Sequence, residues 1–247
     1  MHEAPVRIEA LRLLGDSASL SATSRATGVA RSTIRSWAAS IGAGPTDCCR
    51  CLGASPSTGS PYAALLGFYL GDGGISTYRR HTTIRVSCDA RLPGTITDVS
   101  RALRLVRPAS VVSHIRAPGV IVVQSNWKHW PCLFPQHGPG RKHERAIVLE
   151  EWQREVVRAF PADFLRGLFH SDGCRVNNWA TRVVSGEKKR YDYPRWQFVN
   201  ASEDILGLCT WALDLVEVPW RRSGARVVSV SRKDAVARLD ELIGVKE

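Results

Sequence analysis

The chain has 247 residues, of which 44% are apolar and eight are tryptophan. This is enough to bury the core of one large domain and a smaller one, and it excludes global disorder. Lys and Arg number 34 against 23 Asp and Glu, so the net charge is +11 and the isoelectric point is near 9.7. Such a surplus favours a polyanionic partner, most commonly nucleic acid, although a soluble protein can also be basic without binding one.

The sequence gives no sign of export or of membrane insertion. No apolar run approaches the ~18 residues that a transmembrane helix needs. The first residues lack the charged and then apolar layout of a signal peptide. Seven cysteines, an odd number, are typical of free thiols in a reducing compartment. We therefore expect a cytoplasmic protein with no membrane partner.

Residues 1–44 are predicted to form a small all-helical DNA-binding domain. The segment Val6–Leu14 has the apolar spacing of an amphipathic helix. A shorter helix follows, for which Ser21 is the predicted cap, and Gly28 suits a left-handed turn before a further helix from about Ala30. Three apolar positions would hold the last two helices together: Val29, Ile34 and Trp37. This layout is typical of a helix-turn-helix.

In a helix-turn-helix, the start of the second helix reaches the bases of the major groove. Four side chains there can donate or accept hydrogen bonds with bases or phosphates: Arg31, Ser32, Thr33 and Arg35. A helical hairpin that merely has a polar face is the alternative interpretation.

Residues 45–60 are rich in Gly, Ser and Pro and are predicted to be a linker. Cys48 and Cys51 have the spacing with which two thiolates grip one Zn²⁺ ion. No second pair of this kind follows, so four residues of a later loop would have to supply the remaining ligands: His129, Cys132, His137 and His143. Ordinary free thiols are the alternative.

The rest of the chain contains an internal repeat. The segment YAALLGFYLGDGGIS begins at Tyr62, and DFLRGLFHSDGCRV begins at Asp163. In both, a helix is followed by β-branched strands, an amphipathic helix and further strands. We therefore predict an α+β fold with two pseudo-symmetric αββαββα repeats, at residues 61–150 and 151–247.

Small residues at every fourth position let the first helices of the two repeats pack closely. In the first helix these positions are Ala63, Gly67 and Gly71. In the other helix the corresponding positions are Asp163, Gly167 and Ser171, of which the last two are small. Packing about a pseudo-twofold axis would bring Asp72 and Asp172 together. Two carboxylates at the negative ends of two helix dipoles repel each other. A divalent cation between them, Mg²⁺ by preference for oxygen ligands, would explain the arrangement.

The two segments LLGFYLGDG (Leu65–Gly73) and LRGLFHSDG (Leu165–Gly173) resemble the paired motifs of single-chain LAGLIDADG homing endonucleases. The resemblance extends over about residues 61–247. It implies a saddle of antiparallel strands lying on double-stranded DNA, with Asp72 and Asp172 as catalytic Mg²⁺ ligands. The backbone carbonyls of Gly71 and Ser171 are further candidate ligands. An earlier acid of the family motif is replaced here by Leu70 and His170.

In the family, a basic residue near the end of a late strand assists by holding water or the scissile phosphate. Lys128 and Lys233 stand at the matching places, in a chain with only six lysines against 28 arginines. A compact, titratable amine suits that role. Two ordinary surface lysines are the alternative.

The resemblance also implies DNA contacts on the strands and at the tips of their hairpins. A basic hairpin in the second repeat offers Lys188, Lys189, Arg190 and Arg195. The predicted strands add Arg85, Gln197, Arg221 and Arg222. A solvated loop is the alternative for the hairpin.

Together these features predict a monomeric, nucleoid-associated protein that binds double-stranded DNA and cleaves it at specific sites with Mg²⁺. The alternative is a transcriptional regulator that uses the helix-turn-helix and the saddle to bind DNA without cutting it. The retained acids favour the nuclease, and the helix-turn-helix favours the regulator. RNA maturation on the same fold has no separate feature to support it.

Overall fold

A computed structural model describes residues 4–16, 18–38, 58–78 and 81–246. The chain separates into two compact units, Met1–Ser55 and Pro56–Glu247. Cys48 and Cys51, the predicted zinc ligands, lie outside the described residues, as does most of the predicted linker. Within the described ranges, no helix combines the length and the apolar character that crossing a membrane requires.

The smaller unit contains three helices: α1 (Ala4–Gly15), α2 (Leu20–Thr27) and α3 (Arg31–Ala38). Ser19, and not the predicted Ser21, caps α2, since its hydroxyl accepts a hydrogen bond from the backbone N–H of Ala22. Ser19 has the extended backbone that a cap requires, whereas Ser21 already lies in the first helical turn. Gly28 adopts the predicted left-handed conformation, with φ of 67°.

The core of this unit is formed by Ala10, Val29 and Ile34, which are buried. Val29 and Ile34 were predicted to be buried. The side chain of Trp37 lies outside the described residues. Ser24 strengthens the turn, because its hydroxyl donates a hydrogen bond to the carbonyl oxygen of Val29 over 2.7 Å.

The larger unit consists of two repeats with the same order of elements. The first contains α4 (Ser60–Leu70), β1 (Gly73–Thr77), β2 (Thr82–Asp89), α5 (Pro93–Val106), β3 (Val112–Ala117), β4 (Val120–Asn126) and α6 (Trp130–Leu133). A connector with a 3-10 turn (Lys142–Glu144) and α7 (Glu151–Ala159) leads to the second repeat. This contains α8 (Pro161–Asp172), β5 (Gly173–Val184), β6 (Glu187–Val199), α9 (Glu203–Leu215), β7 (Arg221–Gly224), β8 (Val227–Val230) and α10 (Lys233–Ile243).

Each repeat folds into one antiparallel four-stranded sheet, with strand orders β1-β2-β4-β3 and β5-β6-β8-β7. Gly73 pairs with Val86 in the first sheet and Gly173 pairs with Phe198 in the second. These pairs are equivalent, so Arg85 corresponds to Gln197. The predicted α+β class with two αββαββα repeats is confirmed.

Each sheet has one face packed on helices and one polar face, because successive side chains of a strand point to opposite sides. On β2, Ile84 and Val86 are buried in the core, whereas Arg85 between them is only half-buried. The Nε of Arg85 donates a hydrogen bond to Oε1 of Gln124 on β4 over 3.2 Å. The polar faces thus carry side chains suited to hydrogen bonding.

The first helices of the two repeats, α4 and α8, pack against each other through glycines. A Cβ atom added to Gly67 would lie 2.9 Å from the Cα of Gly167 and 2.8 Å from the backbone nitrogen of Leu168. Only glycine allows backbones to approach this closely. One step along the helices, Gly71 faces Ser171. The close packing predicted from the small residues is therefore present.

Candidate functional site

Asp72 and Asp172 lie at the ends of the paired helices. Asp172 is the last residue of α8, and Asp72 follows Gly71, which ends α4. The surrounding protein displaces water and raises the pKa of Asp72. Burial and then the charge of Asp72 raise the pKa of Asp172 to about 6. The side-chain amide of Asn200 partly offsets this, since it donates a hydrogen bond to Oδ2 of Asp172 over 2.6 Å.

A lysine closes the end of each motif helix. The Nζ of Lys142 donates hydrogen bonds to carbonyl oxygens at the end of α4, at 2.7 Å from Tyr69, 2.8 Å from Leu70 and 2.9 Å from Gly73, and also to that of Gly71. A cation here satisfies carbonyl groups that the helix leaves without a partner, and it opposes the negative end of the dipole.

Lys246 has the same role at the end of α8. Its Nζ donates to the carbonyl oxygens of Ser171 at 2.8 Å and Gly173 at 2.7 Å. Burial lowers the pKa of Lys142 to about 8 and lowers that of Lys246, while the two aspartates oppose the shift in both. The acid pair is therefore accompanied by a lysine pair.

The predicted lysines, Lys128 and Lys233, do not reach the acids. Lys128 lies in a turn after β4, Lys233 begins α10, and both are exposed. The strand pairing explains the position of Lys128. β1 begins at Gly73, next to Asp72, and β4 runs in the same direction as β1. The C-terminal end of β4, which Lys128 follows, therefore lies away from Asp72. The sequence signal for Lys142 and Lys246 is that each lies after the last helix of its repeat, which by itself does not place either lysine at the acids.

The two carboxylates are oxygen ligands of the kind that Mg²⁺ prefers. In the described ranges, no group of three or more His, Cys, Asp or Glu residues could hold a metal ion. The carbonyl oxygens of Gly71 and Ser171, which were candidate ligands, accept hydrogen bonds from the lysines. The residues that would hold a metal here are therefore the two carboxylates, and water and phosphate oxygens would be the remaining ligands, as is usual for Mg²⁺.

A cavity opens on each side of the acid pair. The Asp172 cavity has a volume of about 460 Å³ and is lined by Asp172, Asn200 and residues of the connector after α6. The connector residues with basic side chains there are His137, Arg141, Lys142, His143 and Arg145. The Asp72 cavity is smaller, about 180 Å³, and its polar lining is different. It includes Asp72, Ser87, Asp89, His170 and Lys246.

The register of β5 and β6 divides the predicted DNA contacts of the second repeat between two faces. Trp196 and Phe198 are buried against the helices, which places Lys188 and Arg190 on the helix side of the sheet. Three other predicted contacts share the opposite, polar face: Lys189, Arg195 and Gln197. Successive side chains of a strand point to opposite faces, so neighbouring basic residues of the hairpin do not all face the same partner. A count of basic residues in the sequence does not show this division.

Two of the predicted contacts on the helix side are held by acids. Arg190 forms an ion pair with Asp192, 2.7 Å between Nη2 and Oδ1. Arg222 donates a hydrogen bond to Glu203 on α9, whereas its neighbour Arg221 pairs with Ser229 on the same face as Gln197. Of the two arginines in β7, Arg221 therefore lies on the polar face and Arg222 does not.

At the start of α3 in the smaller unit, Arg31, Ser32 and Arg35 are exposed and Thr33 is half-buried. The guanidinium of Arg31 donates a hydrogen bond to the hydroxyl of Ser21 over 3.3 Å. Three of the four predicted contacts are thus open to solvent on a short helix. Their contact with bases stays a prediction.

No protein-family model and no curated protein matches the chain. Solved structures do match. A complex of I-DmoI with DNA and manganese has 12% identity and a TM-score of 0.49, covering 76% of this chain and 99% of that one. The N-terminal LAGLIDADG domain of DUF199/WhiA has 17% identity and a TM-score of 0.49, covering 77% and 84%.

The LAGLIDADG meganuclease I-AabMI, bound to uncleaved DNA, has 13% identity and a TM-score of 0.46, covering 74% of this chain and 82% of that one. The resemblance predicted from the two motifs is confirmed by these matches, which concern the fold alone. The roles of individual residues have to be argued from the chain itself.

Proposed function

We propose that this chain binds double-stranded DNA on the polar faces of its two sheets and hydrolyses it at the acid pair with Mg²⁺. The observation that carries the proposal is the meeting of Asp72 and Asp172 at the ends of two closely packed helices. Each carboxylate has a raised pKa, so each destabilises the folded protein in its charged form. A costly arrangement of this kind is typical of a functional site.

The position of the acids suits a duplex that spans both repeats. The two sheets are equivalent, and the acids lie at the ends of the helices that precede them. Arg85 in one repeat, with Arg195 and Arg221 in the other, places positive charge on the polar faces. The net charge of +11 supports binding to a polyanion, which is expected to weaken steeply as salt is added.

Each side chain of the site has a distinct role in this proposal. The carboxylates of Asp72 and Asp172 hold Mg²⁺, which when bound supplies charge for the phosphate and lowers the pKa of water. Lys142 and Lys246 keep positive charge beside the carboxylates and fix the ends of α4 and α8. Asn200 orients Asp172 through its hydrogen bond.

Cleavage of a randomised supercoiled DNA library in Mg²⁺ tests the proposal. Asp72→Asn and Asp172→Asn, singly and together, are compared with wild type and with Asp234→Asn, a control at an exposed ion pair on α10. Site-specific nicks or breaks that are lost in the double variant and kept in the control support the proposal. Cleavage that persists in the double variant would refute the role of the acids.

The lysine role has a matched control of its own. Lys142→Met removes the ammonium group from the end of α4, so we expect slower cleavage and a higher pKa for Asp172. Lys128→Met removes an exposed lysine that lines neither cavity, and cleavage should not change. Equal effects of the two substitutions would contradict the role of Lys142.

A regulator that binds DNA without cutting it is the second candidate. It is favoured by the hydrogen bonds that Lys142 and Lys246 make to the carbonyls of Gly71 and Ser171, because an ammonium group takes the place of a metal ion there. The three-helix unit offers a second contact surface. Sequence-specific binding without cleavage in Mg²⁺ or Mn²⁺, unchanged by the aspartate substitutions, would support this candidate over the nuclease.

A further inference from the structure

The two sides of the acid pair differ in charge, although the repeats around them are equivalent. The difference arises from the long connector that follows α6 and leads into α7. The connector lines the Asp172 cavity and brings basic side chains to it. Of the described residues that follow α10, Lys246 lines the Asp72 cavity.

The Asp172 cavity has an excess of cationic groups. Arg141, Lys142 and Arg145 face one aspartate, and His137 and His143 lie beside them. Arg145 shapes the loop, since its Nη1 donates to the carbonyl oxygen of Gly140 at 2.8 Å and its Nε to that of Gln136 at 3.2 Å.

Arg141 remains available for a ligand. Its side chain is exposed, and no hydrogen bond of its guanidinium is found within the described ranges. Gly140, with φ of 75°, makes the turn that presents it. His143, also exposed, lies two residues further on the same wall.

The Asp72 cavity offers no free cation among the described residues. Asp72 and Asp89 face one ammonium group, that of Lys246, which is engaged by the carbonyls at the end of α8. Asp89 is charged at neutral pH, because the guanidinium of Arg91 holds its pKa at about 2, and the same guanidinium is paired with it over 2.7 Å and offsets its charge.

We infer that the Asp172 cavity is a phosphate-binding site with Arg141 as its principal ligand, and that the protein therefore holds the two DNA strands unequally at the acid pair. Guanidinium groups bind phosphate oxygens through paired hydrogen bonds. The backbone phosphate of one strand enters the basic cavity, and that of the other strand meets a cavity whose cation is already engaged. The inference rests on the proposed binding of double-stranded DNA, and it holds whether or not the DNA is cut.

The test uses duplexes selected from a randomised library by the full chain in Ca²⁺. From one selected duplex, a series is made in which a single methylphosphonate removes the charge of one phosphate, at each central position of either strand. A charged hydrogen bond of typical strength corresponds to about a tenfold change in Kd. We expect a loss of about tenfold at one central phosphate of one strand and a much smaller loss at its counterpart.

The variants decide which residue causes the inequality. Arg141→Gln should weaken the unmodified duplex and abolish the difference between strands, and His143→Gln should reduce it. Arg238→Gln, at an exposed arginine of α10, should leave the difference as in wild type. Equal losses on the two strands, or a difference that survives Arg141→Gln, would overturn the inference.

The same duplex separates this inference from the proposed function. If it is cleaved in Mg²⁺ with equal rates and equal phosphate effects on the two strands, the nuclease stands and the inference fails. If it is bound unequally and never cleaved, the inference stands and the nuclease fails. If no duplex is retained by the protein, both fail.

Discussion

Replacing Asp172 with asparagine should make the folded protein more stable while abolishing its proposed activity. The pKa of Asp172 is raised from 3.8 to about 6 by burial and by the charge of Asp72. One pKa unit is about 1.4 kcal/mol, so the charged carboxylate costs the folded state about 3 kcal/mol. Asparagine removes this cost and can still accept the hydrogen bond of Asn200 through its side-chain oxygen. We expect a gain of about 2–3 kcal/mol at pH 8.

The gain should depend on pH in a defined direction. A raised pKa means that the folded protein binds the proton more tightly than the unfolded chain does, so stability falls as pH rises. For Asp172 the fall occurs between 3.8 and about 6. Below this window the carboxyl group is neutral in both states, and the variant should have the same stability as wild type. Above it, the full difference should persist.

Urea unfolding followed by tryptophan fluorescence measures this difference. Seven of the eight tryptophans lie in the larger unit, so the signal reports mainly the unit that contains the site. Wild type and variant are compared at about pH 3.5, 5, 6.5 and 8, with Asp234→Asn as the control at an exposed aspartate. A variant that is less stable at pH 8, or a difference that does not change with pH, would refute the electrostatic account of the acid pair.

Three further predictions follow from the same geometry. Gly67→Ala should lower the free energy of unfolding by about 3 kcal/mol or more, because its Cβ would meet backbone atoms of α8. Gly74→Ala is the control, since there is open space around Gly74. Equal losses of stability in urea unfolding would contradict the close packing of the helices. Mg²⁺ at 100 times its Kd should stabilise wild type by about 2.7 kcal/mol and the double variant Asp72→Asn/Asp172→Asn much less; an equal rise in Tm for both would exclude the acids as ligands. Arg85→Ala should weaken binding of a selected DNA duplex and reduce the salt dependence of that binding. Arg116 is exposed on the other side of the sheet, so Arg116→Ala should have little effect in the same DNA titration.

The general architecture could be predicted because the sequence repeats it. Two motifs 100 residues apart, each followed by strands and an amphipathic helix, define equivalent units. The glycines at every fourth position of the first helix then define how the two units pack. The acid pair follows from the same symmetry, since Asp72 and Asp172 end the two helices that the glycines bring together.

The lysines could not be placed by the same argument. The sequence pattern favours Lys128 and Lys233 because each follows a strand, but the direction of that strand relative to the acids depends on sheet order. In the order β1-β2-β4-β3, β2 separates β4 from β1, and β4 runs in the same direction as β1 and so away from Asp72. Lys142 reaches the site only through the fold of the connector that follows α6. Long-range loop conformation of this kind is not determined by local pattern.

The pairing of acids with lysines also bears on why the site remains foldable. Two charged carboxylates at two helix C-termini would each be opposed by a dipole and by the other. Lys142 and Lys246 reduce this cost by binding the carbonyls that create the negative ends, and they lower the pKa of both aspartates from the values that burial would otherwise impose. They do not remove it, because both pKa values stay above normal. The destabilisation that remains is what a cation bound by the two carboxylates would relieve, and it ties the stability of the unit to its proposed ligand.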